Sequence, residues 1–289
     1  MTGARLATID RGSGSPVLLL HGQPGDGASW SRVTDRLVGR HRVLAPDRPG
    51  YGSTTVDAMG MAANADLMAD LLRRRGAAPA TVVGHSWAGG VAVLMAARHP
   101  GVVRSLVLAG SVGTPDSVNG LDRLLVAGRL GDALTAVGIL GIGMVLPRLR
   151  AGSVAQRGRP ASRSVGRGLR HVASWLPDEV LPGGWSGAWG RSRSTFAVEQ
   201  FALMDELPAV GERLGGLAVP TTVVVGEWDM VVPPPAARSL AAAIPGARLV
   251  RLPEVGHFLA RDAAGDLADV IASTDAEADC GPMHDHRVP

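Results

Sequence analysis

The chain has 289 residues, 46% of them hydrophobic, and 29 basic against 26 acidic side chains give a formal charge of +3. Such a chain can bury a large core, which excludes a disordered or fibrous protein. The small net charge and the lack of a nucleic-acid motif argue against a nucleic-acid partner; every basic residue is arginine, which reads as codon bias and accounts for the high isoelectric point.

Met1–Arg5 lacks the charged and apolar regions of a signal peptide, and the lone Cys280 has no partner for an internal disulfide. A cytoplasmic location is expected. Gly12-Ser13-Gly14 turns the chain so early that no antiparallel edge strand is expected ahead of it. Val17-Leu18-Leu19-Leu20 then reads as a central strand stopping at His21-Gly22-Gln23-Pro24-Gly25. A second strand, Arg42–Ala45, stops at Pro46-Asp47-Arg48-Pro49-Gly50-Tyr51-Gly52.

The third strand begins Thr81-Val82-Val83 and breaks at Gly84-His85-Ser86-Trp87-Ala88-Gly89-Gly90. A nucleophile at a strand-to-helix corner sits on a strained backbone that accepts only small residues two places before and after it, and Gly84 and Ala88 fill those places. The corner exposes the Ser86 hydroxyl at the carboxyl edge and aims the Trp87 N–H at the same spot, which supplies a candidate nucleophile and half of an oxyanion hole. Further strands are read at Ser105–Leu108, Thr221–Val225 and Arg248–Leu252. Strands alternating with helical patterns predict an α/β protein with a mostly parallel, doubly wound sheet, whose ligands bind at the carboxyl ends of the strands.

Between the fourth and fifth of these strands lies an insertion, residues 113–208. Its first part, Leu121–Leu146, is apolar, but the uncharged run between Asp132 and Arg148 is too short for the roughly 20 residues of a membrane span, so it reads as a lid helix. Leu140, Met144, Trp175, Trp185 and Trp189 are candidate linings of an apolar substrate pocket, with lid-to-core packing as the alternative. From Arg148 to Arg170 seven arginines stand among small residues. This reads as a solvated connection, or as a docking patch for an acidic carrier protein or an anionic substrate group.

Taken together, these motifs resemble the α/β-hydrolase fold family over nearly the whole chain apart from the insertion and the tail. The resemblance implies that Gln23 gives the second oxyanion N–H, that Asp47–Gly52 is a structural turn, and that acid and base lie at Asp229 and His257. The order Ser86, Asp229, His257 is the one used by this fold. Glu227 and Asp116 are rival positions for the acid. Relatives that use an aspartate nucleophile, the epoxide hydrolases and haloalkane dehalogenases, are disfavoured by Ser86, and Tyr51 is the sole tyrosine, so the insertion has none to polarise an epoxide.

The expected domains are an α/β-hydrolase core at 1–112 and 209–272, a helical cap at 113–208, and a disordered tail at 273–289, where Cys280, His284 and His286 are read as tail and not as a metal site. The expected function is a serine hydrolase acting through an acyl-enzyme on a small apolar ester, lactone or related carbonyl compound, without cofactor or metal. The alternatives are acyl transfer or cyclisation, carbon–carbon bond cleavage, and a non-catalytic small-molecule binding module.

Overall fold

The computed structural model describes residues 5–118, 120–126 and 188–279. Seven strands form one sheet: β1 (Thr8–Arg11), β2 (Ser15–Leu20), β3 (His41–Pro46), β4 (Ala80–His85), β5 (Val103–Ala109), β6 (Thr221–Gly226) and β7 (Arg248–Leu252), in the order β1-β3-β2-β4-β5-β6-β7. All neighbours pair in parallel except β1 with β3. The missing edge strand is therefore a wrong expectation. Four residues are enough to pair Thr8 with Pro46 and Arg11 with Val43, and Gly12–Gly14 carries the chain over to β2.

The apolar runs are continuous because each strand feeds two cores. Side chains alternate across a strand, so Leu18, Leu20, Val82, Leu106, Val223 and Val225 face one layer while Val17, Leu19, Val83, Val107 and Val224 face the other. The first layer holds α2 (Met61–Arg74), α3 (Ala88–Arg98), the end of a long helix and α6 (Pro234–Ala243). Opposite them lie α1 (Ser31–Leu37) and the last helix, α8 (Ala264–Glu277). A short α4 (Gly120–Leu125) leads into the insertion, the long α5 (Ala188–Leu214) returns from it, and α7 (Leu259–Asp262) precedes α8. Because α5 runs without a break through Pro208, the expected boundary at 208/209 falls inside a helix.

The tail boundary also moves. Helix α8 continues past 273 to Glu277, and Thr274 and Asp275 are buried. Asp275 accepts from Thr81 Oγ1 at 2.5 Å and Ser15 Oγ at 3.1 Å, and lies 3.2 Å from Arg104 Nε and 3.5 Å from His41 Nε2. Thr274 and Thr222 share a hydroxyl bond of 2.8 Å. The polar starts of β2, β4, β5 and β6 are thus tied to the final turns of α8, which short-range pattern could not reveal. Cys280, His284 and His286 lie outside the described residues, as does the 148–170 stretch.

Registers bring the carboxyl ends of the strands to one edge. Leu20 pairs with Gly84, His85 with Ala109, and Gly226 with Leu252, so the loops after β2, β4, β6 and β7 gather there.

Asp275→Ala removes the carboxylate acceptor of the buried Thr81 hydroxyl and the half-buried Ser15 hydroxyl and the counter-charge beside Arg104, and should lower the melting temperature by roughly 5–10 °C in thermal denaturation. A chain ending at Ala272 should lose at least as much relative to one ending at Asp279. An unchanged melting temperature in both would show that the clasp contributes nothing.

Candidate functional site

Ser86 occupies the corner between β4 and α3 with φ 56°, a left-handed conformation rare for a residue with a side chain and costing about 1–3 kcal/mol. Backbone bonds impose it: Ser86 N–H donates to the Ala109 carbonyl at 3.1 Å, and the Ser86 carbonyl accepts from Gly89 at 3.0 Å and Val112 at 3.2 Å. The small-residue requirement is literal. A Cβ on Gly84 would lie 2.6 Å from the Ala88 carbonyl oxygen and 2.9 Å from Gly89 Cα.

Three elements bring Ser86, His257 and Asp229 together. The Ser86 hydroxyl and His257 Nε2 are 3.0 Å apart, and His257 Nδ1 lies 2.8 Å from Asp229 Oδ2. With Nδ1–H donating to the carboxylate, Nε2 is left to accept from the hydroxyl. The second Asp229 oxygen accepts from the N–H groups of Val231 and Val232, both at 2.9 Å, so the loop after β6 fixes the carboxylate. All three side chains are buried. The rival acids are occupied elsewhere: Glu227 pairs with Arg251 at 2.9 Å, and Asp116 accepts from Ser239 at 2.6 Å.

The loop after β2 runs against Ser86. A Cβ on Gly22 would come within 2.9 Å of both Ser86 Cβ and His85 Nδ1, so only glycine permits this approach. Gln23 follows, and its side-chain amide donates to the Phe196 carbonyl and to Gln200 Oε1, each at 3.2 Å. Trp87 stands at the start of α3, its indole donating to the Glu199 carbonyl at 2.9 Å.

Beneath this loop Arg48 is fully buried. Its Nε donates to the His21 carbonyl at 2.7 Å and one terminal nitrogen to the Gly22 carbonyl at 2.8 Å, while the guanidinium pairs with the equally buried Glu199. The Tyr51 hydroxyl donates to Glu199 at 2.7 Å, and the guanidinium lies 4.7 Å from the Trp87 ring centroid. Burial pushes the Glu199 carboxyl upward against the pull of Arg48, and pushes Tyr51 well above its usual value. His21 accepts from the Arg48 backbone N–H at 2.9 Å and donates to the Gly22 carbonyl at 2.8 Å. Burial, reinforced by the Arg48 charge, keeps it neutral by holding its imidazole well below the usual range.

His85 lies in the corner just before the serine, where its Nε2–H donates to the His257 carbonyl at 2.9 Å and its ring lies 4.8 Å from that of His257. Burial, then the charge on His257, brings it down to about 4. Arg48, Glu199, Gln200 and His85 are the residues that sequence reasoning passed over. The available signal was the acidic and amide pair Glu199-Gln200 inside an otherwise apolar helical stretch. Of the pocket candidates, Leu140, Met144, Trp175 and Trp185 lie outside the described residues, and Trp189 is placed only by its backbone, in α5. Among the described residues no group of three metal-binding side chains occurs, and no helix is long and apolar enough to cross a membrane.

This strand order, with a serine corner at the carboxyl edge, defines the α/β-hydrolase fold. The sequence profile of the alpha/beta hydrolase family matches residues 17–270, and the chain belongs to that family. It is 29% identical over 290 residues to the 2-hydroxymuconate semialdehyde hydrolase of Pseudomonas sp. strain CF600, covering 97% of this chain and 94% of that one. It is 30% identical over 250 residues to the pimeloyl-[acyl-carrier protein] methyl ester esterase of Chromobacterium violaceum, covering 85% and 88%. The solved structure of a thermophilic esterase from Thermogutta terrifontis superposes with a TM-score of 0.70 at 24% identity, covering 94% and 93%.

His21 and His85 are neutral when folded but take up protons when unfolded below about pH 6.5. The unfolded state then binds more protons, so stability should be full above pH 6.5 and fall as pH drops toward 4. His85→Gln removes one of these sites, and urea denaturation should show a shallower decline between pH 6.5 and 4. An identical slope would mean that His85 titrates alike in both states.

Proposed function

We propose that this protein is a serine hydrolase that acts through an acyl-enzyme on a small apolar ester, lactone or related carbonyl compound. The observation that carries the reading is the unbroken relay from Ser86 Oγ through the His257 ring to Asp229, at 3.0 and 2.8 Å, with the serine held on a strained corner. A serine hydroxyl is a weak nucleophile at neutral pH and needs such a base within reach.

In this reading Ser86 Oγ attacks the carbonyl carbon while its proton passes to His257 Nε2. Asp229 holds the tautomer and stabilises the imidazolium. The N–H groups of Gln23 and Trp87 receive the oxyanion. His257 then gives its proton to the leaving oxygen, and the alcohol departs to leave the acyl group on Ser86. A water molecule, losing its proton to His257, attacks the ester so formed, and collapse returns that proton to Ser86 Oγ with release of the acid. The steps balance without a cofactor. The 113–208 insertion is assigned as the cap over this pocket, with α5 as its return leg. An acidic carrier protein docking on the Arg148–Arg170 stretch belongs to the alternative of acyl transfer.

The likeness to the 2-hydroxymuconate semialdehyde hydrolase favours a second reading on the same residues, cleavage of a carbon–carbon bond next to a carbonyl. Assaying p-nitrophenyl esters of increasing chain length beside a β-diketone separates the two.

Ser86→Ala and His257→Ala should each lower ester turnover on the order of 10⁴-fold or more without unfolding the protein, and Asp229→Asn by a smaller factor. A fluorophosphonate should label Ser86. Near-normal turnover of Asp229→Asn with an inactive Asp116→Asn would move the acid to Asp116, and an unlabelled Ser86 would make the protein a binding module.

A further inference from the structure

We propose that the consecutive residues Glu199 and Gln200 of α5 are positioning residues that aim the Gln23 N–H at the oxyanion. The inference rests on the reading of that N–H as an oxyanion donor, and its physical basis is peptide geometry. The Gly22–Gln23 peptide is planar and trans, so its carbonyl and its N–H point in opposite directions. Whatever holds the Gly22 carbonyl therefore sets the direction of the Gln23 N–H. Two donors hold it, Arg48 at 2.8 Å and His21 Nδ1–H at 2.8 Å. Arg48 is in turn held by Glu199, 151 residues along the chain.

Gln200 fixes the other end of the same residue. The Gln23 amide has two hydrogens, and its two acceptors, the Phe196 carbonyl and Gln200 Oε1, lie one turn apart on α5. Gln200 cannot flip freely, because its Nε2 donates to Asp122 Oδ1 at 3.0 Å and a carboxylate only accepts. Its carbonyl oxygen must then face Gln23. Asp122 belongs to α4 at the entry of the insertion, and Gln200 to the helix at its exit. The oxyanion donor is thus fastened to both legs of the insertion, and a substrate that shifts α5 shifts the donor with it.

The test uses the full chain with p-nitrophenyl butyrate as substrate and butaneboronic acid as a tetrahedral analogue. Gln200→Leu removes both amide bonds, and Gln23→Met removes the same contact from the loop side without altering α5. Each should lower kcat about 10-fold to 100-fold, a fraction of the loss of a whole oxyanion donor, with KM within about twofold. Boronate affinity should fall in parallel with kcat, and the double variant should lose little more than either single one. Replacing the ion pair by apolar side chains, Arg48→Met with Glu199→Leu, should give a folded protein with the same kcat loss. A rise in KM at constant kcat, or unchanged kcat and boronate affinity in folded variants, overturns the proposal. A structure of the wild-type phosphonate adduct separates the two layers: its oxygen should lie about 2.7–3.1 Å from the Gln23 and Trp87 nitrogens. If it lies elsewhere, the oxyanion assignment itself is wrong; if it lies there while the variants keep their kcat, only the positioning role fails.

Discussion

An arginine shielded completely from water ties this molecule together. Removing a guanidinium from solvent costs several kcal/mol, and that cost is offset only when a counter-charge and hydrogen-bond acceptors surround it. Arg48 has both, in Glu199 and in the carbonyls of His21 and Gly22, and its guanidinium carbon lies 4.7 Å from the Trp87 ring centroid and 5.2 Å from that of Tyr51. An apolar pair would pack as well, but no apolar side chain can grip two carbonyls at once. The ion pair therefore does what packing cannot: it joins the loop after β2, the turn after β3, the start of α3 and the helix returning from the insertion at one point.

Strain at Ser86 depends on that surrounding order. A single left-handed residue costs little in total, but it relaxes unless its neighbours leave it nowhere to go. Three backbone bonds to Ala109, Gly89 and Val112 hold it, and Gly22 packs closely against its Cβ. The His257 loop is fastened to the same corner through His85, whose neutral ring donates to the His257 backbone. Positions set by separate strands are thereby locked against one another at the carboxyl edge.

Much of this was legible in the chain, and the reason is local. Strands β2, β4 and β6 are short runs of branched apolar residues ended by turn residues, and a sheet covered on both faces demands that pattern. Gly84, Ser86 and Ala88 are readable because the corner dictates residue size at fixed spacing. β1 was not legible: Thr-Ile-Asp-Arg is brief and mixed, and only its pairing with β3 makes it a strand. Nor was the end of α8, whose polar Thr274 and Asp275 look like tail until the hydroxyls they meet on other strands are known. Glu199 and Arg48 each look like a surface charge, since a pairing across 151 residues leaves no trace in either neighbourhood.

The clasp under the sheet also has a meaning in time. Thr81 and its acceptor Asp275 stand 194 residues apart. On a ribosome adding about 5–20 residues per second, Thr81 is made roughly 10–40 s before Asp275 exists. Throughout that interval the hydroxyls at the starts of β2 and β4 have Ser105 and Arg104 beside them but lack the carboxylate that joins them, so the lower edge of the amino-terminal half stays without its counter-charge while it is being synthesised. Vectorial synthesis delivers the upper, serine-bearing corner early and withholds the keystone of the opposite edge until α8 has been made.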